Sequence, residues 1–118
     1  MNVPTEHDEA VGLADYLTHR GCVFCHVPNG GRRGKREAGR LKAEGVAAGV
    51  PDYLVFSGPR GSRLRHLAGI AVELKRRKGG RVEPVQTEWL VQLERLGWHA
   101  FVARGADDAI SQLEECWK

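Results

Sequence analysis

Four short runs of strand-forming residues alternate with four segments of helical pattern, and this alternation restricts the fold more than any other feature. The predicted strands cover residues 22–27, 52–57, 69–75 and 98–103. The predicted helices cover residues 6–19, 34–44, 84–96 and 106–117, and the first three end at a glycine. A chain that alternates in this way is expected to form a mixed α/β fold, with a central sheet and helices on its faces. The predicted order is α-β-α-β-β-α-β-α.

The length and the distribution of apolar residues limit the class of protein. A chain of 118 residues, 42% hydrophobic and 28% charged, has room for one globular domain, which we expect over residues 1–118. The longest apolar runs, at 54–56 and 69–72, are far shorter than the roughly 18 residues of a membrane span. The first ten residues show no secretory signal. We therefore expect a cytoplasmic protein with no membrane partner.

Positive charge is concentrated in the middle of the chain. Residues 20–81 have a net charge of +11, whereas residues 1–19 and 82–118 each have a net charge of −4. A positive centre between acidic ends is typical of a protein that binds a polyanion, most simply nucleic acid. A solvated basic surface without a partner is the alternative.

Cys22, Cys25 and His26 match the C-x-x-C-H pattern of covalent haem attachment. Covalent attachment requires export, for which no signal is visible, and the only methionine is the first residue, so no Met axial ligand is evident. In a strand the two cysteines would point to opposite faces, which does not suit chelation of one ion. We therefore favour two buried or half-buried thiols, with a thiol-dependent metal or haem protein as the alternative.

The third predicted strand combines an apolar face with two charges. Because side chains alternate along a strand, Glu73 and Lys75 share one face with Ala71, and Ile70, Val72 and Leu74 occupy the other. Charges beside a core need a partner, and a metal ion with a phosphate would provide one. The second strand opens with another acid, Asp52, directly after a proline.

If these two strands pair, Asp52 and Glu73 can meet over one hard cation. Mg²⁺ and Mn²⁺ prefer oxygen ligands and are usually held by one or two carboxylates, and the backbone carbonyl of Leu74 could be a third ligand. Lys75 would orient the nucleophile or stabilise charge on a phosphate. In the alternative, Asp52 has a structural role and Glu73 forms a same-face salt bridge with Lys75.

The sequence resembles the VRR-NUC branch of the PD-(D/E)xK nuclease superfamily. The resemblance is carried by residues 26–56, which include Gly-Val-Pro-Asp at 49–52, by residues 70–110, which include Glu-Leu-Lys at 73–75, and more weakly by the first helix. It implies a restriction-endonuclease-like core, in which a central mixed β-sheet is flanked by helices.

The resemblance also implies roles for individual residues. Asp52 matches the acid of the PD motif, and Glu73 and Lys75 match the E-x-K motif. Gln86 matches a family glutamine that would help to hold the lysine or the phosphate. Glu9 matches an acid on the first helix that assists the metal through water, although Glu6 lies one turn away and could serve instead. Without the resemblance, Gln86 would be a solvent-facing residue and Glu9 an acid that complements the helix dipole.

The implied activity is that of an endodeoxyribonuclease dependent on Mg²⁺ or Mn²⁺. Small members of the family resemble phage-encoded proteins that cut branched DNA, including four-way junctions, as homodimers. The implied partner is therefore branched DNA, and the location would be the cytoplasm of a bacterial host. The expected contacts to DNA phosphates are the basic residues of the second helix region and of the loop after the third strand: Arg32, Arg33, Lys35, Arg36, Arg40, Arg76, Arg77, Lys78 and Arg81. A non-catalytic nucleic-acid-binding module on a nuclease scaffold is the alternative function.

Overall fold

A computed structural model of the chain describes residues 3–28 and 34–118. Within these ranges the helices are α1 (Glu6–His19), α2 (Lys35–Ala43), α3 (Pro84–Arg95) and α4 (Ala106–Cys116). The strands are β1 (Phe24–His26), β2 (Tyr53–Val55), β3 (Ile70–Lys75) and β4 (His99–Arg104). A short 3₁₀ turn, Pro59–Gly61, lies between β2 and β3. The predicted mixed α/β fold and the predicted order of elements are confirmed.

The four strands form one sheet in the order β1-β2-β3-β4. β2 is antiparallel to both β1 and β3, whereas β3 and β4 are parallel. As a consequence, β1 and β3 finish at the end of the sheet where β2 begins. We call this the Asp52 end, and we call the other end, where β2 finishes and β3 begins, the opposite end.

Helices cover both faces of the sheet. α1 and α4 pack against each other and against β3, and α3 packs against β3 and β4. The α1 and α4 side holds the apolar core, whose fully buried members include Leu13, Leu17, Val55, Ile70, Val72 and Leu113. Because residues alternate along a strand, the side chains of Ala71, Glu73 and Lys75 lie on the α3 side. The α3 face of β3 is therefore the one that carries charge.

Local signals explain where the helices begin. Thr5 caps α1, since its side-chain oxygen accepts a hydrogen bond from the backbone N–H of Asp8 at 3.1 Å. The Asp8 carboxylate accepts one from the backbone N–H of Thr5 at 3.0 Å, which completes a capping box. α3 begins at Pro84, where a missing N–H costs nothing. α2 has neither a side-chain cap nor a buried residue, so it does not contribute to the core.

The structure corrects details of the sequence prediction. The predicted strands 22–27 and 52–57 shrink to three residues each, because only the segments Phe24–His26 and Tyr53–Val55 pair. Cys22 is buried before β1 begins, but Cys25 is exposed, so the prediction of two buried or half-buried thiols is wrong for Cys25. All three cysteines are free. Within the described ranges, no helix is long and apolar enough to cross a membrane.

Leu17 offers a test of the core on the α1 side of the sheet. Its side chain is fully buried, so Leu17→Ala should lower the free energy of unfolding by about 2–5 kcal/mol. Denaturant unfolding monitored by circular dichroism measures this change. Leu96→Ala is the matched control, because Leu96 is 70% exposed and its truncation should change stability by less than about 0.5 kcal/mol. Equal effects of the two substitutions would contradict the described packing.

Candidate functional site

Asp52 and Glu73 lie beside each other at the Asp52 end of the sheet. Tyr53 is opposite Val72 in the antiparallel register, so the neighbouring residues Asp52 and Glu73 also face each other. Directly opposed residues have Cβ atoms about 4.5–5.5 Å apart. Oδ2 of Asp52 accepts a hydrogen bond from the backbone N–H of Leu74 at 2.8 Å, which holds this carboxylate against β3. The structure thus brings the two acids together as the sequence pattern requires.

Glu73 is a buried carboxylate with an unused oxygen. The residue is only 2% exposed, and its Oε2 atom is buried without a hydrogen-bond partner in the described part of the chain. Burial raises the pKa of Glu73 to about 7, and the nearby charge of Asp52 adds to this rise. Burial likewise raises the pKa of Asp52. A buried carboxylate oxygen without a partner is costly, so Oε2 of Glu73 favours a bound proton or a cation.

Gln86 connects the charged residues on the α3 side. Its Nε2 donates a hydrogen bond to Oε1 of Glu73 at 2.7 Å, and its Oε1 accepts one from Nζ of Lys75 at 3.0 Å. The same Oε1 accepts the backbone N–H of Glu83 at 2.8 Å, which completes the capping box of α3. Nζ of Lys75 also lies 3.7 Å from Oε1 of Glu73. Gln86 is therefore not a solvent-facing helix residue; it fixes the side chains of Glu73 and Lys75.

Glu9 is the centre of a separate set of contacts. It is 3% exposed, and its Oε2 accepts a hydrogen bond from Nε of Arg77 at 2.9 Å. Its Oε1 accepts the backbone N–H of Ala106, the first residue of α4, at 3.1 Å. Nη2 of Arg77 also lies 3.4 Å from Asp107. Glu9 thus ties α1 to α4 and to the loop after β3, and Arg77 has an internal partner where the sequence predicts a DNA contact.

An open pocket of about 370 Å³ lies beside Asp52. Its lining includes Asp52, Lys75 and Leu74 together with Glu6 and Glu9 from α1, so both acids proposed from the first helix border it. His26 lines it as well. Sequence spacing predicts no catalytic role for His26, and its position follows from the pairing of β1 with β2.

One polar contact and one ring contact hold His26 at the pocket. Its Nδ1 lies 3.0 Å from the backbone oxygen of Asp52, and its ring centroid is 4.8 Å from that of Tyr53. Tyr53 in turn donates a hydrogen bond from its hydroxyl to the backbone oxygen of Ala10 at 3.1 Å. The imidazole therefore has a defined place beside Asp52.

The predicted DNA contacts lie on two segments that leave the sheet at the Asp52 end. The connection from β1 to β2, which contains α2, and the loop from β3 to α3 both leave the sheet at the Asp52 end. The basic residues of these segments that the structure describes are all exposed: Lys35, Arg36, Arg40, Arg76, Arg77, Lys78 and Arg81. Arg32 and Arg33 lie outside the described residues.

Asp52, Glu73 and the backbone carbonyl of Leu74 are the groups that could hold a metal ion. The N–H and C=O of one strand residue point to the same side, so the Leu74 carbonyl faces Asp52 as its N–H does. The unused oxygen of Glu73 supplies a ligand that no hydrogen bond competes for. This donor set fits a hard divalent cation that keeps several waters. In residues 3–28 and 34–118, no three His, Cys, Asp or Glu side chains cluster in a way that could hold a metal.

The fold and the paired acids place the chain in the class of mixed α/β proteins with a carboxylate site at one end of the sheet. The family model described as the VRR-NUC domain matches residues 5–107. The chain therefore belongs to the VRR-NUC family, and this membership implies a nuclease-type function. A solved structure described as "VRR_NUC domain protein" is similar, with a TM-score of 0.76 and 24% sequence identity over 98% of this chain and 89% of that chain. That likeness shows the fold, and a comparison with the curated proteins finds no match.

Replacing Glu73 by glutamine should stabilise the metal-free protein. With chelator at about pH 8, Glu73→Gln should raise the free energy of unfolding by about 1–3 kcal/mol, because a buried charge with an unused oxygen is removed. The pKa of Glu73 is raised above its ordinary 4.5 to about 7, so the destabilisation is complete above that value and absent below about 4.5. The gain should therefore shrink as the pH is lowered.

Urea unfolding across this pH range measures the effect. Glu88→Gln is the control, since Glu88 is an exposed residue of α3 and its neutralisation should leave stability within about 0.5 kcal/mol. A loss of stability in Glu73→Gln at high pH would contradict the described burial.

Gly105 tests the contacts of Glu9 and Arg77. It has a φ of +94°, and an added Cβ would lie 2.8 Å from Cγ of Arg77 and 2.9 Å from Oε2 of Glu9. Gly45 has a φ of +100° but no atom within 4 Å of such a Cβ. Gly45→Ala should therefore cost about 1 kcal/mol of backbone strain, and Gly105→Ala about 1–3 kcal/mol more because of the clash. Thermal unfolding of the two variants gives this difference, and similar melting temperatures would count against the Glu9 arrangement.

Proposed function

We propose that the protein is a metal-dependent endonuclease that hydrolyses DNA phosphodiester bonds at Asp52, Glu73 and Lys75. The observation that supports this most directly is the buried, unpartnered Oε2 of Glu73 opposite a second carboxylate. Folding a carboxylate into such a place is unfavourable unless something binds it. A divalent cation held by Asp52 and Glu73 would offset the cost of burying this carboxylate and would give the two acids a role in catalysis.

The chain supplies positioning and charge. A bound Mg²⁺ or Mn²⁺ would polarise a phosphoryl oxygen and lower the pKa of a bound water. Asp52 and Glu73 hold the ion, and the hydrogen bond from Leu74 fixes the orientation of Asp52. Lys75 directs its ammonium group towards the same region and stabilises negative charge on the phosphate. Gln86 restrains both Glu73 and Lys75, so the two side chains keep their relative position when DNA binds.

The proposed substrate is branched DNA. Exposed cations at the Asp52 end, on α2 and on the loop after β3, contact phosphates and carry no base specificity of their own, which suits recognition by shape. Symmetric cutting of a four-way junction requires two active sites, and one chain provides one. We therefore propose that the protein acts on junctions as a homodimer.

A cleavage assay with labelled single strand, duplex, 5′ flap, splayed arm and four-way junction tests this function. Each DNA is incubated with Mg²⁺, with Mn²⁺ and with chelator. We expect cleavage of the junction that requires metal, and a rate at least about 100-fold lower in Glu73→Gln, because even indirect metal contacts commonly contribute 10–100-fold. Glu88→Gln, which neutralises an exposed glutamate on the same side of the sheet, should cleave like the wild type.

The assay separates the possible functions. Paired symmetric nicks support a dimeric junction resolvase, whereas cutting of flaps or single strands supports the nuclease but not its junction selectivity. Metal-independent cleavage, or equal rates in Glu73→Gln and Glu88→Gln, would overturn the proposed mechanism. Tight, salt-sensitive binding without any cleavage would favour the non-catalytic binding module.

A further inference from the structure

The connection between β2 and β3 carries three arginines that the predicted DNA contacts do not include. Arg60, Arg63 and Arg65 lie within six residues, and residues 53–72 contain no acid. All three are exposed, and within the described ranges their side chains form no hydrogen bond or ion pair. Arg77 and Arg104, by contrast, bind protein oxygens. We propose that Arg60, Arg63 and Arg65 form a second DNA-binding surface, which holds the phosphate backbone of duplex DNA away from the point of cleavage.

The loop is held in place by the end of α1. The backbone N–H of Arg60 donates to the carbonyl of Arg20 at 2.8 Å, and that of Gly61 donates to the carbonyl of Gly21 at 3.0 Å. These bonds also occupy carbonyls at the negative end of the α1 dipole, which would otherwise disfavour an anion. The loop is further closed by the bond from the N–H of Gly58 to the carbonyl of Ser62 at 2.7 Å. A loop ordered in advance loses little entropy when it binds.

Two residues of this loop have a backbone conformation that is unfavourable for side chains. Arg60 has a φ of +58° and His66 a φ of +61°. Glycine adopts this region without penalty, yet the chain has an arginine and a histidine there. Residues with such strain are concentrated at functional sites. For Arg60, the function that we infer is phosphate binding by its guanidinium group.

The surrounding groove is positive. It measures about 670 Å³, and its lining includes Arg20, Arg63, Arg65, His66, Trp117 and Lys118. The acids at this end of α4 are already paired, because Glu114 lies 3.8 Å from Arg20 and Glu115 lies 3.0 Å from Lys118. The unpaired charge that remains belongs to the arginines of the loop. A planar guanidinium suits a phosphate well, since it can donate two parallel hydrogen bonds.

The second surface is separated from the candidate active site by the length of the sheet. α1 begins with Glu6 at the pocket beside Asp52 and ends with His19, next to Arg20, so its 14 residues span about 20 Å. β3 runs between the same two ends, and its six residues span about 17 Å. At about 3.4 Å of rise per base pair, this separation corresponds to five or six base pairs of duplex. The surface would therefore hold a duplex arm about half a turn from the cut.

Salt-dependent binding of metal-free protein to a labelled duplex of about 20 base pairs tests the surface directly. Each lost phosphate contact lowers the slope of log affinity against log salt by about 0.9, so Arg63→Ala with Arg65→Ala should lower it by about 1.8. Between about 50 and 200 mM salt, the loss of affinity in this double variant should be roughly tenfold smaller than in the wild type. An unchanged slope overturns the proposal, as does the absence of salt-dependent duplex binding in the wild type.

Single variants supply a matched control. Arg95 is an exposed arginine at the end of α3, which lies on the other face of the sheet, and its side chain has no partner in the described residues. Arg63→Glu should weaken duplex binding several-fold more than Arg95→Glu, although both change the net charge equally. Equal effects would mean that only the overall charge matters, and the second surface would be refuted.

Arg60→Gly distinguishes binding from a structural role. It relieves the positive φ, so the melting temperature should stay the same or rise, whereas duplex affinity should fall several-fold. A lower melting temperature with unchanged affinity would assign Arg60 to structure and overturn its role in binding.

The substrate of this surface rests on the proposed function, but its test does not, because binding is measured without metal. If the nuclease proposal also holds, the Arg63 and Arg65 double variant should raise KM and leave kcat unchanged. This effect should appear only for substrates with about ten base pairs beyond the cut, and be absent when about three remain. A protein that cleaves but shows no such arm-length dependence keeps the nuclease function and loses the second surface.

Discussion

The antiparallel pairing of β2 with β3 is the interaction on which the candidate site depends. It sets Asp52 opposite Glu73 and turns the Leu74 backbone towards the Asp52 carboxylate. A slip of one residue would move Glu73 from the α3 side into the apolar core beside α1. The register is protected against such a slip, because Ile70 and Val72 are fully buried on the α1 side and would be exposed by it. The core therefore stabilises a carboxylate arrangement that is unfavourable by itself.

Two separate hydrogen-bond systems support this arrangement from opposite faces of the sheet. On the α3 side, the Gln86 side chain forms hydrogen bonds with both Glu73 and Lys75. The same side chain accepts the backbone N–H of Glu83 and so caps the start of α3. On the other side, Glu9 binds Arg77 and the first N–H of α4, which anchors the loop that follows β3. Arg104 holds the same loop through the carbonyl of Gly80 at 2.9 Å. The loop between β3 and α3 can therefore present Arg76 and Lys78 from a fixed backbone.

The fold could be predicted from short-range sequence signals. Contacts between residues that are distant in sequence could not be predicted. Helix starts follow from the cap at Thr5 and the proline at 84, and alternation along β3 separates Glu73 and Lys75 from the core. The partner of Arg77 could not be predicted, because Glu9 lies 68 positions away and an acid in a first turn has an ordinary role at the helix dipole. The place of His26 required the pairing of β1 with β2. The exposed Cys25 was missed because β1 is an edge strand with only one neighbour.

Cations lie at both ends of the sheet, whereas the opposed acids Asp52 and Glu73 lie at one end. At the Asp52 end Arg77 and Arg104 bind protein oxygens, and at the opposite end Arg20 pairs with Glu114, whereas the side chains of Arg60, Arg63 and Arg65 have no partner in the described residues. Under the two proposals, these cations at both ends of the sheet, with Asp52 and Glu73 at one end, would define where a duplex is held and where it is cut. The spacing between the two surfaces would then give a physical basis for recognising a DNA by its shape without contacting its bases.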